Sequence, residues 1–120
     1  MTVLKEGNHT GEFIVTEANG YRSREEGAPA AAYVAPTAKV VSGTVVQLTA
    51  DEYGEVVDAA TDPVAVLYTP VAIDETLSEV VVIARDAEVA RARLTFPAAF
   101  DAAMEDAAIA RLLEQGIKVV

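Results

Sequence analysis

The residues able to do chemistry are few in kind and sparsely placed. His9 is the only histidine, with Glu6 and Glu12 three residues to either side. An imidazole and two carboxylates could ligate a metal, but no second histidine or cysteine completes the set, so a solvated polar residue is the favoured reading. Ser23 lies between Arg22 and Arg24, with nothing beside it to activate a hydroxyl. With one histidine, no cysteine and no Gly-x-Ser-x-Gly, no nucleophile–base pair can be assembled. The 19 aspartates and glutamates show no spacing that singles out an acid–base pair, so they read as solvated surface. Gly43-Thr44 lacks the preceding glycine and the lysine of a phosphate-binding loop. The reading assigns no catalytic, cofactor-binding or metal-binding residue and expects a protein that is not an enzyme. Arg22 and Arg24 keep two uses open. They could grip an acidic partner surface through bidentate pairs, or pair locally with Glu17, Glu25 or Glu26.

Composition sets the frame for these residues. A chain of 120 residues is one domain and can bury enough surface to fold without a metal or disulfide. Its net charge of −10 disfavours direct contact with nucleic acid, whose phosphates it would repel. No run is long and apolar enough to span a bilayer, and Met1–Gly7 has no basic region followed by an apolar one, so no membrane or secretory signal is expected. Hydrophobic residues make up 52% of the chain and aromatics only 6%. Small and β-branched side chains of this kind suit thin, close-packed β structure.

The coarse pattern predicts a mainly β domain with a C-terminal helix and an extended N-terminal arm. Residues 1–38 read as the arm followed by an Ala/Pro-rich linker, and residues 39–120 as the body. Residues 44–49 predict a strand, Asp51–Gly54 a turn, and residues 55–58 the returning strand of a hairpin. Residues 64–69 and 79–85 predict buried strands, and Tyr33, Tyr53 and Tyr68 read as packing residues. Residues 86–89 read as a tight connection and residues 90–96 as a further strand ending at Pro97. Asp101 as N-cap and Gly116 past the C-terminus predict a helix between them, with Ala108, Ile109, Leu112 and Leu113 on its core face. Residues 117–120 are a β-prone tail.

The stretch from Gly11 to Glu25 organises the rest. Phe13–Thr16 is β-prone, Asn19-Gly20 is a strong turn signal, and a zwitterionic patch follows at Arg22–Glu26. No apolar strand follows to pair with it locally. Such a strand pairs far away in sequence or with another protein.

His9, Gly11–Val15, Glu17–Gly20 and Arg22–Glu25 resemble the N-terminal signature of the bacteriophage head decoration proteins, the small capsid-stabilising proteins of lambda-like phages. The resemblance continues in order through Ser42–Val46, Ala65–Tyr68, Val81–Val89, Leu94–Pro97 and the Ala-rich helix ending at Gly116-Ile117. It covers about residues 6–120. One departure is the absence of a glycine within Ala65–Leu67, where many members have one.

The resemblance implies a β-clip-like body and a homotrimer that sits on the outer surface of the expanded phage head after assembly in the host cytoplasm. It implies a non-enzymatic clamp that bridges neighbouring copies of the major capsid protein and resists internal DNA pressure. Carried onto this chain, capsid contact falls on the arm: Phe13, Ile14, Val15, Glu17, Asn19, Arg22 and Arg24. Other readings are a trimeric tail or fibre module, and a β-clip-like enzyme that rests on fold analogy alone.

Overall fold

The structure, a computed structural model, describes residues 11, 13–17, 22–30, 33–34, 36, 38–49, 51–59 and 61–120. Eight strands are present among them: β1 Ile14–Glu17, β2 Arg24–Pro29, β3 Val45–Thr49, β4 Glu52–Glu55, β5 Ala65–Leu67, β6 Val80–Ile83, β7 Ala87–Val89 and β8 Ile117–Val119. One helix, α1, spans Ala102–Glu114. The expected mainly β domain with a C-terminal helix is therefore what forms.

Five strands close into a barrel in the order β2-β4-β3-β5-β6, and β1-β7-β8 form a separate three-stranded sheet. Strand alternation divides the interior into two apolar sets. Val46, Tyr53, Ala65, Leu67, Val80 and Val82 belong to one set, which fills the barrel with Tyr33 and Val71. Val45, Val66 and Ile83 belong to the other, with Phe13, Val56, Ala87, Val89, Leu112 and Ile117. The ladder agrees with this division: Val45 pairs with Val66 and Val66 with Ile83, while Val46 pairs with Ala65 and Leu67 with Val82. Strands β3, β5 and β6 are thus covered on both faces along these positions. That is why residues 64–68 and 80–83 read as continuous apolar runs rather than as alternation.

The outer face of that wall is covered by the small sheet and α1. Asp101 caps the helix by accepting from the Met104 amide at 2.9 Å, and Gly116 follows its end at φ 88°, as the sequence predicted. Ala108 and Leu112 are buried and Ile109 is partly buried, whereas Leu113 is 61% exposed. A helix lying on one outer wall buries a narrow stripe, and Leu113 falls off its edge.

Several local expectations shift. Residues 24–29, expected in the charged patch and linker, form the barrel strand β2, antiparallel to β6 and briefly parallel to β4. A body starting at Lys39 would lack this strand. Gly27 lets β2 pass the Tyr53 ring, since a Cβ there would lie 2.5 Å from the ring's edge. The hairpin return begins at Glu52, not Glu55: Glu52 already pairs with Thr49, and Asp51 just before it takes φ 64°. Residues 87–89, expected as a connection, form β7, the central strand of the small sheet. Residues 90–96 are not a strand. Arg91–Arg93 make a 3-10 turn that carries the chain from β7 toward Thr44, to which Thr95 bridges.

Replacing Leu112 by Ala should cost about 2–5 kcal/mol of stability, the usual range for a buried leucine. Leu113→Ala should cost less than about 0.5 kcal/mol. Urea denaturation of both variants checks this, and equal losses would contradict the helix orientation.

Candidate functional site

The N-terminal run finds its strand partner within the chain. β1 pairs antiparallel with β7, matching Ile14 to Val89, Thr16 to Glu88 and Glu17 to Ala87. The register slips between Ile14 and Thr16, leaving Val15 as the extra residue of a bulge. Phe13 is 1% exposed and sits in the core between the barrel wall and α1, and Ile14 packs against the same cluster. Val15 is 50% exposed and Thr16 is exposed. Among the described residues β1 is an edge strand of its sheet, so one side of its backbone has no strand beside it in that ladder.

Both ends of this strand are fastened at Tyr68, just beyond β5. At the leading end the Gly11 amide donates to Ser42 Oγ at 3.0 Å, and Ser42 Oγ donates to the Tyr68 carbonyl at 2.8 Å. Ser42 is 2% exposed. Gly11 takes φ 75°, and a Cβ there would lie 2.9 Å from the edge of the Tyr68 ring, so only glycine fits. At the trailing end Arg24 forks Glu17, donating from Nε at 3.0 Å and from Nη2 at 2.8 Å. The same guanidinium lies 4.3 Å from the centroid of the Tyr68 ring. The hydrogen bond from Arg24 holds the Glu17 carboxyl below its ordinary value, against the opposing effect of burial.

The structure thus separates the residues the sequence grouped. Phe13, Ile14, Glu17 and Arg24 fasten the strand to the body, and Val15 and Arg22 are exposed. Arg24 takes the local pairing the sequence allowed. The Arg22 carbonyl accepts from Arg85 Nη1 at 2.8 Å, and Arg85 also pairs with Glu25. Ser23 is fully buried and donates to the Asp86 carbonyl at 2.8 Å, which gives it a structural use. Asn19, together with Glu6, His9 and Glu12, lies outside the described residues. Sequence reading missed Ser42 and Tyr68 as fastening points. In the sequence Ser42 stood out only as the first residue of the segment Ser42–Val46 that carries part of the resemblance.

Elsewhere the surface has open hollows. One of about 290 Å³ is lined by Tyr33, Val40, Glu55 and Phe96 among others. Burial first, then the Glu55 charge, pushes the Tyr33 phenol up to about 12, so it stays protonated and can only donate or accept hydrogen bonds. A hydrogen bond with Glu26 raises the carboxyl of Glu79. Among the described residues no three His, Cys, Asp or Glu side chains are grouped to hold a metal, and no helix is long and apolar enough to cross a membrane.

Comparison with known proteins adds one match. The family model described as bacteriophage lambda head decoration protein D matches residues 3–117. No curated protein matches the chain.

The Glu17–Arg24 fork makes part of the stability pH-dependent. A carboxyl depressed in the folded state stabilises fully above its unfolded value near 4.5 and loses that contribution as pH falls through the folded value. Glu17→Gln and Arg24→Gln should each cost about 1 kcal/mol at pH 7, as for a well-formed, partly shielded pair. The deficit relative to the parent chain should shrink as the pH drops below the ordinary carboxyl range. A deficit constant from pH 7 to pH 3, measured by urea denaturation, would contradict this role.

Proposed function

Because the chain belongs to the bacteriophage lambda head decoration protein D family, we propose that it binds the expanded phage head from outside as a homotrimer. In this reading it clamps neighbouring copies of the major capsid protein and stabilises the shell against internal DNA pressure, without catalysis. The observation that carries the reading is the family match over residues 3–117, nearly the whole chain.

The geometry fits this role in two ways. The closed barrel leaves no open strand edges of its own, so it is a stiff block that resists pairing at random. The β1 edge, with Val15 and Thr16 exposed, offers a place where an extended segment of a capsid subunit could add a strand. Capsid contact is thus assigned to the N-terminal segment, Val15, Arg22 and Asn19, while Phe13, Ile14, Glu17 and Arg24 hold the platform. Trimeric display multiplies the weak contacts of one arm.

Purified protein should bind expanded shells and leave unexpanded ones bare in a co-sedimentation assay. Equal binding to both forms, or to neither, would overturn the proposal. Removing residues 1–10 should leave thermal unfolding nearly unchanged and weaken shell binding by at least about tenfold, the effect of losing roughly 1.4 kcal/mol of contact per arm. Undiminished binding by the shortened chain would remove the N-terminal segment from the interface. A tail or fibre module would instead be found by labelling intact particles away from the head.

A further inference from the structure

The hollow beside Tyr33 has the construction of a small-ligand site. Its walls are pinned by backbone hydrogen bonds. Val40 and Val71 exchange two of them at 2.9 and 2.8 Å, and Thr44 Oγ1 donates to the Val41 carbonyl at 2.7 Å. The Val45 amide donates to the Thr95 carbonyl at 3.0 Å, and the Thr95 amide donates to the Gly43 carbonyl at 2.9 Å. Three separate stretches of chain are thereby held around one space of about 290 Å³, with Val40, Val45, Phe96 and Pro97 giving it an apolar lining. Apolar walls with a few converging polar groups are the usual make-up of a site for a small molecule.

Three polar groups line the same space, and none is committed elsewhere. Tyr33 is 8% exposed, yet its hydroxyl has no hydrogen-bond partner among the described residues. A tyrosine hydroxyl taken this far out of water ordinarily finds one. Lys39 and Glu55 are exposed at the rim, and among the described residues neither forms an ion pair with the other or with a third residue. The Glu55 charge also helps to raise the Tyr33 phenol, which fits two groups that face one space. The charges of Lys39 and Glu55 cancel. A plain anion would meet Glu55 and a plain cation would meet Lys39, so the rim favours a ligand that carries both signs beside an apolar body.

We propose that this hollow binds an apolar α-amino acid as its zwitterion. The side chain lies against Val40, Val45 and Phe96, the α-ammonium faces Glu55 and the α-carboxylate faces Lys39. The Tyr33 hydroxyl donates to the carboxylate. No covalent bond is made or broken. The site uses no residue assigned to shell contact, so the proposal stands or falls apart from that reading. An occupant would tie the three stretches together and stabilise the folded chain by mass action.

The test is titration of the full-length chain with L-leucine and with L-phenylalanine, followed by amide NMR shifts. Binding should saturate at millimolar ligand, with shifts centred on Val40, Val45, Thr95 and Phe96, and the thermal midpoint should rise with ligand concentration. Glycine lacks the side chain, isocaproate the ammonium and isoamylamine the carboxylate. Each should bind at least about tenfold more weakly, the effect of one lost charged hydrogen bond or one lost buried side chain. Lys39→Gln and Glu55→Gln, at exposed positions, should each weaken L-leucine about tenfold without moving the midpoint of the ligand-free chain. Tyr33→Phe keeps the ring and should also weaken binding while the fold holds. Absence of saturable shifts, shifts centred elsewhere, or equal binding of isocaproate or isoamylamine would overturn the proposal. Unchanged affinity in either charge variant would do the same.

Discussion

The fold depends on one constraint: strands β3, β5 and β6 carry apolar side chains on both faces, and both faces must be covered. The barrel covers the inner one. The outer one, with Val45, Val66 and Ile83, needs a second layer, which Phe13, Val89, Leu112 and Ile117 supply from four separate elements. Every one of those elements lies at or near an end of the chain relative to the barrel strands it covers. The N-terminal strand, the C-terminal helix and the C-terminal strand are therefore part of one core. With 120 residues and no cross-link, the domain has little surface to spare, and each covering element contributes a share that the others cannot replace.

This constraint changes the meaning of the N-terminal stretch. Read as sequence, Phe13–Thr16 was a strand without a neighbour, and a partner protein or a distant segment could each complete it. The distant segment is β7, three residues long and 70 to 75 positions further on by the observed register. Phe13 marks the difference between a strand that is lent to a partner and one that is built in, because its ring is buried among residues of the barrel wall and the helix. What remains outward is small: Val15 at the bulge, Thr16 and the unpaired backbone of an edge. An edge of this kind is normally a liability for a soluble protein, and a bulge is one way of keeping it from pairing indiscriminately.

Much of the fold was legible where local chemistry and tertiary packing agree. Asp101 and Gly116 bounded the helix because caps act within a few residues, and the runs at 64–69 and 79–85 announced the buried strands β5 and β6 because both faces of those strands are apolar. The reading failed where a strand exists only through its neighbours. β2 contains Gly27 and Pro29, which argue against a strand, and it forms because β6 and β4 offer it ladders and Tyr53 needs the space above a glycine. β7 is too short to show a period. Residues 90–96 showed an alternation of arginine and apolar residues that was accidental, since the chain there must turn to bring Thr95 beside Thr44. Arg24 was read with two open uses and takes the local one, because Glu17 and the Tyr68 ring converge on it. No single-residue signal could have found Ser42 or Tyr68 as the fastening point, since that role arises only when Gly11, β3 and the end of β5 meet.

The central claim is that this small acidic domain decorates a phage head, and imaging tests it most directly. Expanded shells reconstructed with and without the protein should differ by added density at three-fold and quasi-three-fold positions on the outer surface, each lobe large enough for a trimer of this domain. Identical reconstructions at saturating protein, or density confined to another part of the particle, would contradict the account.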